Sequence, residues 1–253
     1  MIRALWSGAT GMAAQQFNID NISNNLANVN TAGFKRQRVE FQDLYYQNLM
    51  VGGTGVASVG SGVRVGGTQR DFRQGPLERS DDPLSLAIEG EGFFTVLGAD
   101  GGRHYTRDGS FRLDSQGRLV TSTGYPVSIR GGSAIPRGIE ELGIDKLGVI
   151  RGKANGSFQE LGQIALTMFA NPSGLQAMGS NLYRETPQSG PATQVEPGQQ
   201  GAGLILSGYI EKANVEIVTE MVNLIVAQRV FELNSKSVET ADQMWAIANN
   251  IRR

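Results

Sequence analysis

The side chains that could carry out catalysis or bind a transition metal are few in this sequence. The chain has one histidine, His104, and no cysteine, which excludes disulfides, thiol catalysis and zinc–thiolate sites. No catalytic-triad pattern surrounds His104, so we interpret it as an ordinary surface residue of a strand. A metal site would have to use carboxylate oxygens, and no EF-hand spacing occurs.

Acidic residues lie close together at three places: Asp81 and Asp82, Glu89 and Glu91, and Glu140 and Glu141. A glycosidase needs two carboxylates held about 5 to 9.5 Å apart across a cleft. Adjacent strand residues point to opposite faces, and Asp82 before a proline indicates a turn. The glycines of residues 60–66 lack the spacing of a dinucleotide-binding loop. The sequence therefore predicts neither an enzyme nor a cofactor.

The charge of the chain also narrows its partners. A net charge of −1, with both signs interspersed, gives no long-range field and predicts no nucleic-acid partner. The most apolar window, residues 224–227, is far shorter than the roughly 20 residues needed to cross a bilayer, so we expect no membrane span. The first residues lack the pattern of a cleavable secretory signal.

The elements that position the side chains differ between the ends and the middle. Residues 1–29 and 214–251 contain no proline, and their only glycines are Gly8 and Gly11. The chain has 34 glycines and 8 prolines, so nearly all of them lie between these ends. This distribution predicts a long helix at each terminus and a turn-rich, β-rich middle.

The amino-terminal helix carries two stripes. An apolar one follows steps of three and four and is about 42 Å long; it comprises Ile2, Leu5, Ala9, Met12, Gln16 and Ile19, continued by Ile22, Leu26 and Val29. Beside it run Asn18, Asn21, Asn25 and Asn28. Two interpretations of this amide stripe stay open: the amides face water or cap turns of their own domain, or they hydrogen-bond neighbouring chains.

The carboxy-terminal helix has a heptad pattern: Ile217, Met221, Leu224, Gln228, Phe231, Ser235, Val238, Asp242, Trp245 and Asn249. Every second member of this pattern, beginning with Ile217, is apolar. The members between them, beginning with Met221, are polar from Gln228 onward. Polar residues in a helical seam fix register and partner choice, which suits an assembling subunit. The alternative is that Gln228, Ser235 and Asp242 mark only the edge of an apolar face. The two terminal helices could pair with each other.

The middle of the chain predicts an antiparallel meander. Strands are expected at residues 84–88, 92–97, 104–106, 110–113, 118–121, 125–129, 144–151 and 163–169, with hairpin turns at 100–101, 108–109 and 115–117. The glycine-rich residues 50–67 are interpreted as a linker or an adaptable extended segment, and residues 185–203 as a second polar linker.

Together these patterns predict an α+β chain. Residues 1–35 and 208–253 form a coiled-coil-like assembly domain, residues 36–82 connect it to a central β-rich domain at 83–190, and residues 191–207 are a return linker.

Four stretches of the sequence resemble the bacterial flagellar rod and hook protein family. They cover the chain nearly end to end, and the terminal ones are specific in combination: residues 24–36 (NNLANVNTAGFKR); residues 82–94 with 105–111 and 117–120; residues 169–175 with 179–183; and residues 208–215 with 220–229 and 234–236. The short amino-terminal start and residues 41–47 are most similar to the distal rod branch of the family.

The resemblance implies a structural subunit of the distal rod. It implies export through the flagellar type III apparatus without signal cleavage, and polymerisation with copies of itself into a hollow helical drive shaft. That shaft crosses the periplasm and transmits torque to the hook. The partners implied are the proximal rod proteins, the hook protein and the surrounding ring proteins.

We therefore hypothesise an assembly interface on the terminal helices. Its apolar seam pairs Ile2, Leu5, Met12, Ile19 and Leu26 with Met221, Leu224, Phe231 and Val238, and its polar members are Asn21, Asn25, Asn28, Gln228 and Ser235. Within the family, a proximal rod or hook-type subunit is the alternative. From other classes, an exported β-rich binding module and a peptidoglycan-acting enzyme remain open.

Overall fold

The computed structural model describes residues 2–51, 55–98, 101–132, 135–136, 141–154 and 157–251. The chain divides into two compact units, each made of segments distant in sequence. The first, here called the helical unit, comprises Met1–Ala27, Gln37–Asp71 and Val215–Arg253. The second, the β unit, comprises Asn28–Arg36 and Phe72–Asn214.

The helical unit combines the two terminal helices with two antiparallel strand pairs. Its elements are α1 (Ile2–Ala27), β1 (Gln37–Asp43), β2 (Tyr46–Val51), β3 (Gly55–Gly60), β4 (Val63–Arg70) and α2 (Ile217–Ile251). Strand β1 pairs with β4, and β2 pairs with β3. The two long helices confirm the prediction from proline and glycine placement.

The glycine-rich segment is not a linker where the structure describes it. Its residues lie in β2, β3 and β4, and each strand has an antiparallel partner. Valines at intervals favour extended chain, and ladder hydrogen bonds need only the backbone.

The β unit is built almost entirely of short antiparallel strands. They are β5 (Leu77–Arg79), β6 (Leu86–Glu89), β7 (Phe93–Leu97), β8 (Arg103–Thr106), β9 (Arg112–Leu113), β10 (Leu119–Val120), β11 (Ile129–Arg130), β12 (Glu141–Ile144), β13 (Val149–Ala154), β14 (Ser157–Ile164), β15 (Leu166–Met168), β16 (Gln176–Gly179), β17 (Leu182–Arg184), β18 (Thr193–Val195), β19 (Leu204–Ser207) and β20 (Tyr209–Glu211). A single 3₁₀ turn, Pro172–Gly174, interrupts the described strands.

These strands form a six-stranded sheet in the order β16-β17-β8-β7-β15-β18 and a four-stranded sheet in the order β11-β14-β13-β12. Three further pairs are β6 with β19, β5 with β20 and β9 with β10. Two terminal helices and a largely antiparallel middle confirm the α+β class.

Two apolar clusters make the core of the β unit. The larger includes Leu86, Phe94 and Ile164, all fully buried. The smaller is aromatic: the rings of Tyr105 and Phe169 lie edge to face with centroids 4.8 Å apart, and Phe93 contacts Phe169 at 5.7 Å. Edge-to-face packing orients aromatic rings, so this cluster fixes the relation of β7 and β8 to the loops around it.

The meander prediction is correct only in part. The β7–β8 and β9–β10 pairs join neighbours in sequence as expected. However, the turn at Asp108 and Gly109 joins strands that do not pair with each other. The strand expected at 144–151 is two strands, because the chain turns between Asp145 and Gly148, where Gly148 takes a φ of 74°.

The predicted return linker is also wrong. Strand β18 is an edge of the six-stranded sheet, and β19 pairs with β6 in the larger core. Val195 and Ile205 are buried there. Residues 185–203 are polar and Val195 is the one buried position of β18, so the composition of this segment did not indicate a strand.

No helix among the described residues is long and apolar enough to span a membrane.

Candidate assembly site

Helices α1 and α2 run antiparallel and approach closely at two glycines of α1. A Cβ on Gly8 would lie 2.7 Å from Cγ2 of Val238, and a Cβ on Gly11 would lie 2.9 Å from Nδ2 of Asn234. Side chains at these positions would force the helices apart. The sequence showed that the two glycines stood alone in the first helix, but not what they contact.

The face of α2 that is buried within the chain overlaps half of the predicted heptad. Leu224, Phe231 and Val238 are half-buried, as is Ser235. The most buried positions are Glu220, Ala227 and Ala241, each 1–2% exposed. In contrast, Met221 is 50% exposed and Gln228 is also exposed. Glu220, Ala227 and Ala241 each precede by one residue a position of the predicted heptad. Those heptad positions are Met221, Gln228 and Asp242.

Most of the apolar stripe of α1 is half-buried, but Ala9 and Gln16 are exposed. Leu5, Met12, Ile19 and Leu26 are all intermediate in exposure. Ile2 belongs to α1, but its side chain lies outside the described residues. Ala14 and Ile22 are the most buried apolar side chains of the helix, at 3% and 5% exposed.

The asparagine stripe has partners within the chain. Nδ2 of Asn21 and Nδ2 of Asn25 donate hydrogen bonds to the carbonyl oxygen of Gln37 at 2.8 and 2.7 Å. Oδ1 of Asn25 in turn accepts the Gln37 N–H at 3.0 Å. Asn28 accepts a hydrogen bond from the Thr31 hydroxyl at 3.2 Å. These amides thus hold the start of β1 and the turn after α1, while contacts with neighbouring chains stay a prediction.

A second face of α2 is apolar and exposed. Val222, Ile225 and Val226 are 54%, 56% and 55% exposed. At about 100° per residue, these three side chains lie roughly opposite Leu224 and Ala227 on the helix. They therefore point away from the face of α2 that contacts α1. Further exposed apolar side chains of the same helix are Ile217, Val218, Met221, Leu233, Met244, Trp245 and Ile247. We call Val218, Met221, Val222, Ile225 and Val226 the outer apolar face.

The candidate catalytic side chains do not come together. His104 is buried, not at the surface as predicted, because β8 is an inner strand of the six-stranded sheet. Asp81, Asp82, Glu89 and Glu91 are exposed, and Oδ1 of Asp82 accepts the Leu84 N–H at 2.9 Å, as expected for a turn. Glu140 lies outside the described residues. Within the described ranges, no group of acidic or histidine side chains could hold a metal ion.

A buried ionic cluster in the β unit went unnoticed in the sequence. Oε1 of Glu211 accepts Nζ of Lys35 at 2.6 Å, and Oε2 contacts Nη1 of Arg107 at 3.3 Å. All three side chains are at most 4% exposed. Burial lowers the pKa of the Arg107 guanidinium from its ordinary value, and the Glu211 carboxylate opposes that shift. No spacing rule connects residues this far apart in sequence.

Three family models match this chain. Residues 5–35 match the flagella basal body rod protein family, residues 87–152 match the flagellar hook protein FlgE/F/G D1 domain, and residues 206–251 match the flagellar basal body rod FlgEFG protein C-terminal family. These matches contain Gly8, Gly11 and the outer apolar face.

Full-length relatives agree with these matches. The chain is 45% identical to the flagellar basal-body rod protein FlgG of Borreliella burgdorferi, over the whole of both chains. It is 44% identical to FlgG of Caulobacter vibrioides over 99% of this chain and all of that one, and 39% identical to FlgG of Bacillus subtilis over all of both. The chain belongs to the flagellar basal-body rod protein family.

A partial relative comes from the hook. The flagellar hook protein FlgE of Helicobacter mustelae is 45% identical over 138 residues, which are 50% of this chain and 30% of that protein. The resemblance to rod and hook proteins drawn from the sequence motifs is thereby confirmed.

Proposed function

We propose that this chain is a structural subunit of the distal part of the flagellar rod. It polymerises with copies of itself into a hollow helical shaft that transmits torque to the hook. Full-length relatives named as rod protein FlgG support the distal type over the hook type, since the hook relative shares only half of this chain. The proposal assigns the chain a structural role and no catalysis.

The outer apolar face of α2 is the observation that carries the proposal. Contiguous apolar side chains exposed on a soluble surface usually mark an interaction site. Here they lie on the helix matched by the carboxy-terminal rod family, on the side turned away from α1. Repeating one such contact with a rotation that does not close gives an open helical polymer.

The predicted site residues take two roles in this proposal. The half-buried set on both helices, with Leu224, Phe231 and Val238, holds α1 and α2 together as a coiled-coil-like pair. The exposed Met221 and Gln228 contact neighbouring copies. A helix in an assembly can bury side chains on two faces. In α2, one face would contact α1 and the other a neighbouring copy.

The location of the chain follows from the family as part of the same proposal. The subunit is exported by the flagellar type III apparatus without cleavage and is incorporated in the periplasm. There it joins proximal rod proteins on one side and the hook protein on the other, inside the surrounding rings.

The double variant Val222→Lys/Ile225→Lys tests the outer apolar face. Two lysines would prevent burial of this face against a neighbour, because burying an unpaired ammonium costs several kcal/mol. Both positions are exposed in the single chain, so the melting temperature should change by no more than about 2 °C. In a strain lacking the native gene, we expect non-motile cells whose basal bodies have no distal rod in electron micrographs.

Ser237→Lys is the matched control, since it adds a lysine at an exposed polar position of the same helix. It should restore motility. Complete rods built from the double-lysine variant would contradict the proposed interface.

A further inference from the structure

The two connections between the β unit and the terminal helices α1 and α2 meet at one buried carboxylate. Residues 28–36 follow α1, and β20 precedes α2. Lys35 lies on the first connection and Glu211 on the second, 176 residues apart. Both belong to the β unit, and their side chains are fully buried.

Glu211 contacts three separate segments. Its Oε1 accepts Nζ of Lys35 at 2.6 Å and also the N–H of Gly75 at 2.9 Å. Its Oε2 accepts Nη1 of Arg107, which follows β8, at 3.3 Å. The backbone oxygen of Glu211 accepts the N–H of Gly33 at 2.8 Å. A single residue therefore connects the first connection, the chain before β5 and the end of β8.

Additional hydrogen bonds complete the cluster. Nζ of Lys35 donates to the carbonyl oxygen of Arg73 at 2.8 Å, and Nη2 of Arg107 donates to that of Gly90 at 2.9 Å. Nδ2 of Asn214 donates to the same Arg73 oxygen at 3.0 Å. Both cations therefore also donate to backbone carbonyl oxygens, those of Arg73 and Gly90, which lie outside the two connections.

The first connection also fits closely around this site. Gly33 has a φ of 67°, and a Cβ there would lie 2.6 Å from the backbone nitrogen of Asp108. Oδ1 of Asn214 accepts the N–H of Arg36 at 2.7 Å, so a second hydrogen bond joins the two connections directly. Gly33 was predicted only as a turn residue, and the structure adds this close approach.

We infer that Lys35, Glu211 and Arg107 form a polar clamp that docks both connections onto the β unit as one event. Docking of the amino-terminal connection buries the Lys35 ammonium. That charge is neutralised only when Glu211 is also in place. Removing one partner of a buried ion pair is far more costly than replacing the whole group, because the remaining charge stays desolvated. The clamp is a property of the single chain and does not depend on rod assembly.

The clamp predicts an order of effects among substitutions. Glu211→Gln leaves two buried cations without a carboxylate and leaves one acceptor oxygen in place of the two that serve Lys35, Arg107 and Gly75. Lys35→Met keeps an apolar stem of similar length and leaves a balanced pair of Glu211 and Arg107. The first variant should therefore release both connections, whereas the second should release only the amino-terminal connection.

Hydrogen exchange of the purified full chain, followed by mass spectrometry, tests this order. In Glu211→Gln, exchange should rise about tenfold or more in both residues 28–36 and residues 209–214, and the melting temperature should fall by about 10 °C. In Lys35→Met, the rise should be confined to residues 28–36. Glu78→Gln is the matched control, because it breaks the exposed ion pair with Lys212 beside the same two strands.

The control should leave exchange in both segments unchanged, since exposed ion pairs contribute little. Native exchange in residues 28–36 of Lys35→Met would overturn the clamp, as would a uniform rise across the whole β unit in that variant. If Glu211→Gln fails to fold, Lys35→Met decides the question alone.

Discussion

Gly8 and Gly11 are the residues that set how closely α1 and α2 approach. Glycine inside a helix costs up to about 1 kcal/mol relative to alanine, so two of them within one turn need a compensating contact. The compensation is the approach of Val238 and Asn234, which occupy the space that a Cβ would take. Close packing at these positions favours the pairing of the helices, whereas the low helix propensity of glycine disfavours α1.

Gly8→Leu should destabilise the helical unit. The larger side chain meets the β-branched Val238, which cannot move aside easily, and overpacking of this kind costs about 1–3 kcal/mol. Thermal unfolding followed by the circular dichroism of the helices measures the effect. Ala9→Leu is the control: Ala9 is exposed on the same turn, and alanine and leucine have similar helix propensities. Equal melting temperatures for the two variants would contradict the close approach.

At the scale of the elements, the regular sequence patterns correctly predicted the two helices. They did not predict the small and polar residues at which elements contact each other. The helices were correctly located because proline and glycine are so unevenly distributed. Leu224, Phe231 and Val238, which are large and apolar, lie on the half-buried face of α2, and their role in an assembly seam stays a prediction. Ala227 and Ala241 were missed, because the close approach of the helices favours small side chains that a search for hydrophobic residues passes over.

Non-local contacts account for the other differences. Strand β19 pairs with β6 across more than a hundred residues of sequence, and no local signal around residues 204–207 indicates that partner. The Lys35 and Glu211 pair escaped prediction for the same reason. Helices and sequential hairpins could be predicted from the sequence, whereas the clamp and the sheet order required the structure.

Phe231→Ala tests how much of α2 is buried before assembly. A fully buried phenylalanine costs about 3–5 kcal/mol when truncated, but Phe231 is only half-buried in the single chain. We expect a loss of about 1–2 kcal/mol in the unfolding free energy of the monomer, measured by urea denaturation. A loss as large as that of full burial would show that the helix packs more completely in the monomer than the structure describes.

The whole molecule is made of two units whose segments alternate along the sequence. The helical unit contains both chain ends and the two strand pairs, and the β unit contains the two aromatic and aliphatic cores. Each unit is therefore assembled from segments that are separated in the sequence by segments of the other unit. This arrangement is consistent with a subunit whose terminal helices make the contacts between copies while the β unit folds on a core of its own.

The most direct test of the proposed function is electron microscopy of basal bodies from a strain in which the gene for this chain is deleted. A distal rod subunit predicts a rod that ends early, with its proximal part present and no hook attached. Plasmid-borne expression of the native chain should restore the full length. A rod of normal length carrying a hook in the deletion strain would contradict the proposal that this chain builds the distal rod.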